Sequence, residues 1–344
     1  MRRVLKSMVV VLAFFLLLEG AAAVAERTLI PRHRTIPLPR PGVEDPEFSG
    51  KITAARRSLE IPLAQNESGS WTLAPASQTV EGGVLTRINR LGLRGPDPVP
   101  KEDGEIRLFS LGDSSVFGYG VPERDVFTSV AAQALSARWS RNVTAWIGAV
   151  PGHSSEQSLQ VLQEHGARYA PDWVIIANQW SDVFFQDKGA RFVEKAAGPM
   201  RTFATYRVAR LLLSPWLAAR RVRFIDGGGD IGNAGNNRVP LPRYLDNLRR
   251  LGATSRSLGA QPAFLILPAP LDLDEVAPPE AVVEYRAAMR LVAEELDAPL
   301  VDGPEVFRDP VVTLGYFLDQ VHPSEPGHHL LGEALVEALV ARGP

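Results

Sequence analysis

A chain of 344 residues, 45% hydrophobic and 22% charged, is close to the average soluble globular protein and long enough for one large domain with an extension or for two ordinary domains. Its 37 Lys and Arg are spread along the chain against 39 Asp and Glu, a formal charge of −2, so nothing marks a nucleic-acid partner. The lack of cysteine excludes disulfides, thiolate metal sites and a Cys nucleophile.

The N-terminus reads as an export signal. Arg2, Arg3 and Lys6 form a basic head, Met8 to Leu18 is an unbroken apolar run, and Ala23-Val24-Ala25 has the small-residue pattern of a cleavage site. The run is about half the length a bilayer-spanning helix needs, so the expectation is a signal peptide over 1–25 and an exported protein, periplasmic or extracellular. An uncleaved N-terminal anchor, with the protein held near a membrane, is the alternative. Cleavage removes three basic residues and one acid, taking the charge from −2 to −4.

Residues 26 to about 70 are rich in Pro and Arg without a sustained hydrophobic period, an extended lead-in. Trp71 to Arg94 reads as a strand pair around Gly82-Gly83, packed on the main domain. The turn Gly95-Pro96-Asp97-Pro98 and the polar stretch to Gly104 close an N-terminal extension over 26–104. From Glu105 apolar strands alternate with helical stretches. Strands are expected at Ile106–Leu111, Val143–Val150, Trp173–Ala177, Ala263–Leu267 and Pro299–Val301. Helices are expected at about Glu123–Trp139, Ser155–Tyr169, Leu241–Leu258, Pro279–Leu296 and Gly327–Ala341. This alternation predicts a three-layer α/β/α domain over 105–344, with about five parallel strands and its ligand site at their carboxyl ends. Residues 183–240 form an insertion, Arg-rich and apolar and then Gly- and Asn-rich. It reads as a surface helix pair and loop, or as a lid or membrane-facing helix over the site.

Acyl transfer by a hydroxyl needs a base in contact with it, a group orienting the base, and donors aimed at the developing oxyanion. The first strand runs into Gly112-Asp113-Ser114, which places Ser114 where the chain turns into the next helix. Near the other end, Asp319 and His322 share one loop before the last helix, spaced so that the carboxylate can hold Nδ1–H while Nε2 faces outward. Each pattern alone is common; both at one rim of a parallel sheet are not.

Gly112-Asp113-Ser114 after the first strand, with Asp319, His322 and Pro323 before the last helix, resembles the SGNH (GDSL-type) serine hydrolases over about Glu105 to Ala341. Arg87-Ile-Asn89-Arg-Leu-Gly92-Leu-Arg94-Gly95 looks like a lead-in of exported bacterial members. The resemblance implies a flavodoxin-like fold, with Ser114 as nucleophile, His322 as base and Asp319 as its orienter. It also implies oxyanion donors in the Ser114 N–H and in the N–H of Gly152, within Pro151-Gly152-His153-Ser154. Where the family carries Gly-x-Asn-Asp, this chain has Gln179-Trp180-Ser181-Asp182, so Ser181 stands in the place of the Asn donor, and Asn178 is the alternative. No cofactor or metal is implied.

Ser115 reads as a helix-start hydrogen bonder. Ser154 lacks the closing Gly of a nucleophile elbow, having Glu156 there. His153 reads as a polar loop residue, His328 and His329 as structural. Gly227-Gly-Gly229 lacks the Lys-Ser/Thr of a phosphate loop. Asn66 and Asn142 match the glycosylation pattern in a bacterial-looking context. The expected activity is ester hydrolysis on a small-molecule, polysaccharide or lipid ester, with acylated cell-envelope polysaccharide or lipid suggested by the address. An O-acyltransferase with the same residues, and a non-catalytic carbohydrate-binding or assembly protein on a decayed hydrolase scaffold, stand beside it.

Overall fold

The computed structural model describes residues 71–81, 84–183, 237–273, 277–309 and 311–344, with 15, 17–24, 63–65 and 205. The chain divides into two compact units, Met1–Arg34 with Phe185–Asp230, and Thr35–Phe184 with Ile231–Pro344. In the first, residues 17–24 are helical, and the Glu19 carboxylate accepts the Thr205 N–H and hydroxyl at 3.0 and 2.6 Å. Among the described residues no helix is long and apolar enough to cross a membrane. The basic head, most of the Pro- and Arg-rich lead-in, most of the insertion read as a surface helix pair or lid, Asn66 and the Gly227 run lie outside the described residues.

The second unit is built on five parallel strands, β5 (Ile106–Leu111), β6 (Val143–Ile147), β7 (Trp173–Ile176), β8 (Gln261–Ile266) and β9 (Leu300–Asp302). Their spatial order, β6-β5-β7-β8-β9, is that of a flavodoxin-like doubly wound sheet. Central strands of such a sheet are covered on both faces, and every residue of β5 and β7 is buried. Register aligns the carboxyl ends, with Ser110 opposite Ile147 and Ile175, and Leu111 opposite Ile176.

The helices are α1 (Ser114–Phe117), α2 (Phe127–Trp139), α3 (Ser155–Tyr169), α4 (Trp180–Val183), α5 (Leu241–Ser257), α6 (Glu280–Glu295), α7 (Gly303–Val306) and α8 (Glu325–Val340). Helix α2 packs on α8, while α3, α5 and α6 pack in sequence, giving two helical layers. The helix expected from Glu123 is interrupted: a 3-10 turn at Glu123–Asp125 precedes an extended Val126, and α2 starts at Phe127. The strand expected to Val150 ends at Ile147, although the Gly148 N–H still donates to the Ser110 carbonyl at 2.8 Å, and Gly148 packs so tightly on Phe109 that a Cβ would lie 2.4 Å from its ring.

The extension is more elaborate than a strand pair. Short β1 (Leu63–Gln65) pairs with β2 (Trp71–Leu73), and β3 (Ser77–Glu81) with β4 (Val84–Ile88), both antiparallel. Arg94 bridges Ile88 on one side and Ile147 of edge strand β6 on the other, which docks the hairpin onto the main sheet. Its guanidinium is buried and donates to the carbonyls of Phe117 (2.5 Å), Gly118 (2.8 Å) and Val121 (2.6 Å), the turn that follows α1.

Candidate active site

Strand β5 ends at Leu111, and Gly112 carries the chain past β7. A Cβ there would stand 2.3 Å from Val116 Cγ2 and 3.0 Å from the Ala177 carbonyl, so only glycine fits this exit. Asp113 then caps α1, one carboxylate oxygen accepting the Ser115 N–H at 3.0 Å and the other the Ser181 N–H at 3.0 Å. Ser114 is the first residue of α1.

The partner loop is shaped by its own carboxylate. Asp319 Oδ1 accepts the N–H groups of Val321 (2.9 Å) and His322 (3.1 Å), folding the loop so that the His322 ring returns over it. Imidazole Nδ1 lies 2.7 Å from Asp319 Oδ2 and 2.9 Å from Oδ1, and Nε2 lies 2.7 Å from Ser114 Oγ. With Nδ1–H donating to the carboxylate, Nε2 carries the lone pair that accepts the hydroxyl. Ser115 Oγ donates to the Val321 carbonyl at 2.9 Å, joining the two loops beside this contact, so Ser115 does more than open the helix. Tyr119 stands against His322, ring centroids 5.3 Å apart, and walls one side of the imidazole.

The loop after β6 makes a tight turn. Its ends join through His153 N–H to the Val150 carbonyl (3.0 Å), and Gly152 sits at φ +77° after Pro151, the geometry of a type II turn. Such a turn leaves the Gly152 N–H outside its closing bond. The Val150 N–H reaches the Gly112 carbonyl at 3.3 Å, so the turn lies beside the chain that delivers Ser114. Ser154 caps α3 in a reciprocal box with Gln157, a helix-start role in place of a nucleophile's.

Of the alternatives in the third loop, Ser181 stays at the rim and Asn178 does not. Asn178 is fully buried. Its side-chain amide donates to Ser158 of α3 at 2.9 Å, and its backbone carbonyl accepts the Tyr244 hydroxyl of α5 at 2.5 Å. It therefore ties the exit of β7 to the helical layer. The Ser181 N–H is committed to Asp113. Asp182 beside it is fully buried and accepts the Ser155 N–H (2.9 and 3.0 Å) and hydroxyl (2.6 Å). Burial pushes the Asp182 carboxyl up to about 7 against the pull of those Ser155 bonds. Burial likewise raises Asp113, opposed by its bonds from Ser115 and Ser181 and by the nearby His322 charge.

His328 is buried and stacked on Phe127, with Nδ1 accepting the Phe127 N–H at 3.3 Å. Burial, helped by the Arg94 charge, drives it down to about 3, so it is a neutral core residue. His329 is half exposed and with Asp125 and Glu325 offers ligand atoms within 4.8 Å of one another. Exposed carboxylates gather this way without an ion. The sequence reading named Asp113 and Asp182 within their motifs without giving them a role, and did not single out Tyr119 or Arg238. The last donates to the Gly152 carbonyl at 2.5 Å and to Gln157 Oε1 at 2.7 Å.

The family model of the GDSL-like lipases/acylhydrolases matches residues 110–330, spanning every loop described above. The chain belongs to this family. Solved structures similar to it include a lipase/acylhydrolase from Enterococcus faecalis (TM-score 0.46, 16% identity, 69% of this chain and 96% of that one). An acetylxylan esterase from Geobacillus stearothermophilus gives TM-score 0.45 and 18% identity over 68% and 94%. A psychrotrophic esterase from Pseudoalteromonas sp. gives 0.43 and 14% over 69% and 97%. No curated protein matched the sequence. As a GDSL-like family member the chain falls in the hydrolase and esterase class, and a small-molecule or polysaccharide ester is the substrate type that class implies.

Proposed function

We propose that this protein is an exported serine esterase that cleaves O-acyl esters through an acyl-enzyme on Ser114. The observation that carries the reading is one imidazole hydrogen-bonded at Nε2 to Ser114 Oγ and at Nδ1 to Asp319, from loops 208 residues apart. A serine hydroxyl is a poor nucleophile until a neutral base can take its proton as it attacks. His322 does so while Oγ bonds to the ester carbonyl carbon, and Asp319 stabilises the imidazolium that forms. The carbonyl oxygen becomes an oxyanion resting on the N–H groups of Ser114 and Gly152. Collapse of this intermediate breaks the C–O bond, and the imidazolium gives its proton to the departing alcohol. Water, deprotonated by His322, then attacks the acyl group, the acid leaves, and Oγ recovers its proton. No step calls for a metal or cofactor.

Export rests on the basic head, apolar run and Ala23-Val24-Ala25. That address favours acylated envelope polysaccharide or lipid as the ester. Labelling with a fluorophosphonate tests the chemistry: the wild-type protein acquires one adduct at Ser114, and Ser114→Ala acquires none. Folded wild-type protein that stays unlabelled, or is labelled elsewhere, overturns it. N-terminal sequencing of the secreted protein tests the address, with Glu26 expected as the first residue.

A further inference from the structure

The turn that carries the Gly152 N–H is short, running from Val150 to His153. Its closing bond joins Val150 to His153 and says nothing about where the turn as a whole sits. Toward Ser114 the turn meets the chain at the contact from Val150 N–H to the Gly112 carbonyl, 3.3 Å long. On its other side stands Arg238. One guanidinium nitrogen, Nη1, donates to the Gly152 carbonyl at 2.5 Å, and Nη2 donates to Gln157 Oε1 at 2.7 Å. Gln157 Oε1 also accepts the Ser154 N–H at 2.9 Å, so the same acceptor fixes the first turn of α3. The backbone beside Arg238 is anchored in turn: the Val239 N–H donates to the Asp182 carbonyl at 3.2 Å, and the Val239 carbonyl accepts the Tyr285 hydroxyl.

From this geometry we infer that Arg238 is a positioning residue for the oxyanion site, holding Gly152 at its working distance from Ser114 by a two-pronged clamp on the turn and on the start of α3. The inference rests on the esterase reading. A planar guanidinium suits the task because two parallel donors at fixed spacing restrain both position and orientation, whereas a lysine ammonium offers a single charge on a flexible stem. Arg238 touches no reacting atom, so its effect is transmitted through the placement of one N–H. Displacements of about 1 Å at a reacting centre cost up to about 10²-fold in rate.

The test compares wild type, Arg238→Met, Arg238→Lys and Arg238→Ala in hydrolysis of p-nitrophenyl acetate and in the rate of fluorophosphonate labelling, with thermal unfolding measured alongside. The phosphonate adduct is tetrahedral and places an oxygen where the oxyanion rests, so labelling reports the same donors as turnover. Arg238→Met is expected to lower kcat about 10-fold with KM within about twofold of wild type, and to slow labelling in the same proportion. Arg238→Lys should recover only part of the loss, and millimolar guanidinium should restore part of the activity of Arg238→Ala. Wild-type protein that labels at Ser114, beside Arg238→Met with kcat within about twofold of it, overturns the positioning role and leaves the esterase reading intact. So does a loss that follows the fall in unfolding temperature and is not restored by guanidinium. A wild-type protein that neither labels nor hydrolyses overturns the esterase reading, and the positioning role with it.

Discussion

Replacing Asp182 with asparagine should change how the fold responds to pH. Asp182 is fully buried, and burial pushes its carboxyl up to about 7 from an ordinary 3.8. The native state therefore keeps this proton to about pH 7, while the unfolded chain releases it near 4. Between those values folding takes up a proton, so the contribution to stability is fully present below pH 4 and is lost as pH rises to about 7. A displacement of that size corresponds to about 4 kcal/mol, an upper limit for a group that interacts with Asp113. Asparagine retains the oxygen that accepts the Ser155 N–H and hydroxyl but cannot ionise. Denaturant unfolding of both proteins from pH 4 to 8 isolates the effect, because every other titrating group is common to the two. The stability difference should move in favour of Asp182→Asn by about 3–4 kcal/mol across that window and then level off. A difference constant to within about 1 kcal/mol would refute the reasoning, showing that the bonds from Ser155 outweigh burial and hold the carboxylate ionised in the native state.

Two further substitutions probe the surroundings of Ser114. Arg94→Met keeps the apolar stem and removes the donors to the Phe117, Gly118 and Val121 carbonyls; leaving these buried acceptors unmet should cost about 3–5 kcal/mol in chemical denaturation, and a loss below about 1 kcal/mol would contradict it. Ser181→Asn leaves the Ser181 backbone bond to Asp113 in place and adds a longer side-chain amide at the rim. Since a lost oxyanion donor typically costs about 10²–10³ in rate, a gain of about tenfold in kcat is expected, and a folded variant with no gain counts against Ser181 facing the oxyanion.

The positions of the strands, the alternation of helices and the two loops holding Ser114, Asp319 and His322 were legible because each has a local signature, whereas the order of the strands came only from the family resemblance. Apolar runs mark the buried strands, and the short Gly-Asp-Ser and Asp-x-x-His patterns are complete within a few residues. Asn178 could be offered only as an alternative to Ser181, because its neighbours in sequence are candidate site residues and nothing local shows that its amide turns into the helical layer to meet Ser158. That orientation depends on α3, which follows the strand two positions away in the sheet order. Arg238 gave no signal at all: it lies at the end of an arginine-rich insertion, and its partners Gly152 and Gln157 are more than 80 residues earlier. The break at Val126 was hidden because a 3-10 turn and a helix share nearly the same apolar spacing.

Asp113, Asp182 and Asp319 occupy one rim, and each accepts backbone N–H groups from a turn that no strand pairing satisfies. They are nonetheless suited to different work. Asp113 and Asp182 are fully enclosed, and burial raises both against the pull of the N–H groups they accept. Asp319 keeps its side chain partly exposed and meets the Val321 and His322 N–H groups together with the imidazole N–H, an arrangement that favours the carboxylate. Only an ionised partner can stabilise the imidazolium as Ser114 gives up its proton. Enclosure of Asp113 and Asp182 thus works against their charge, whereas the donors gathered around Asp319 work for it, which in the proposed mechanism makes Asp319 the partner of the imidazolium.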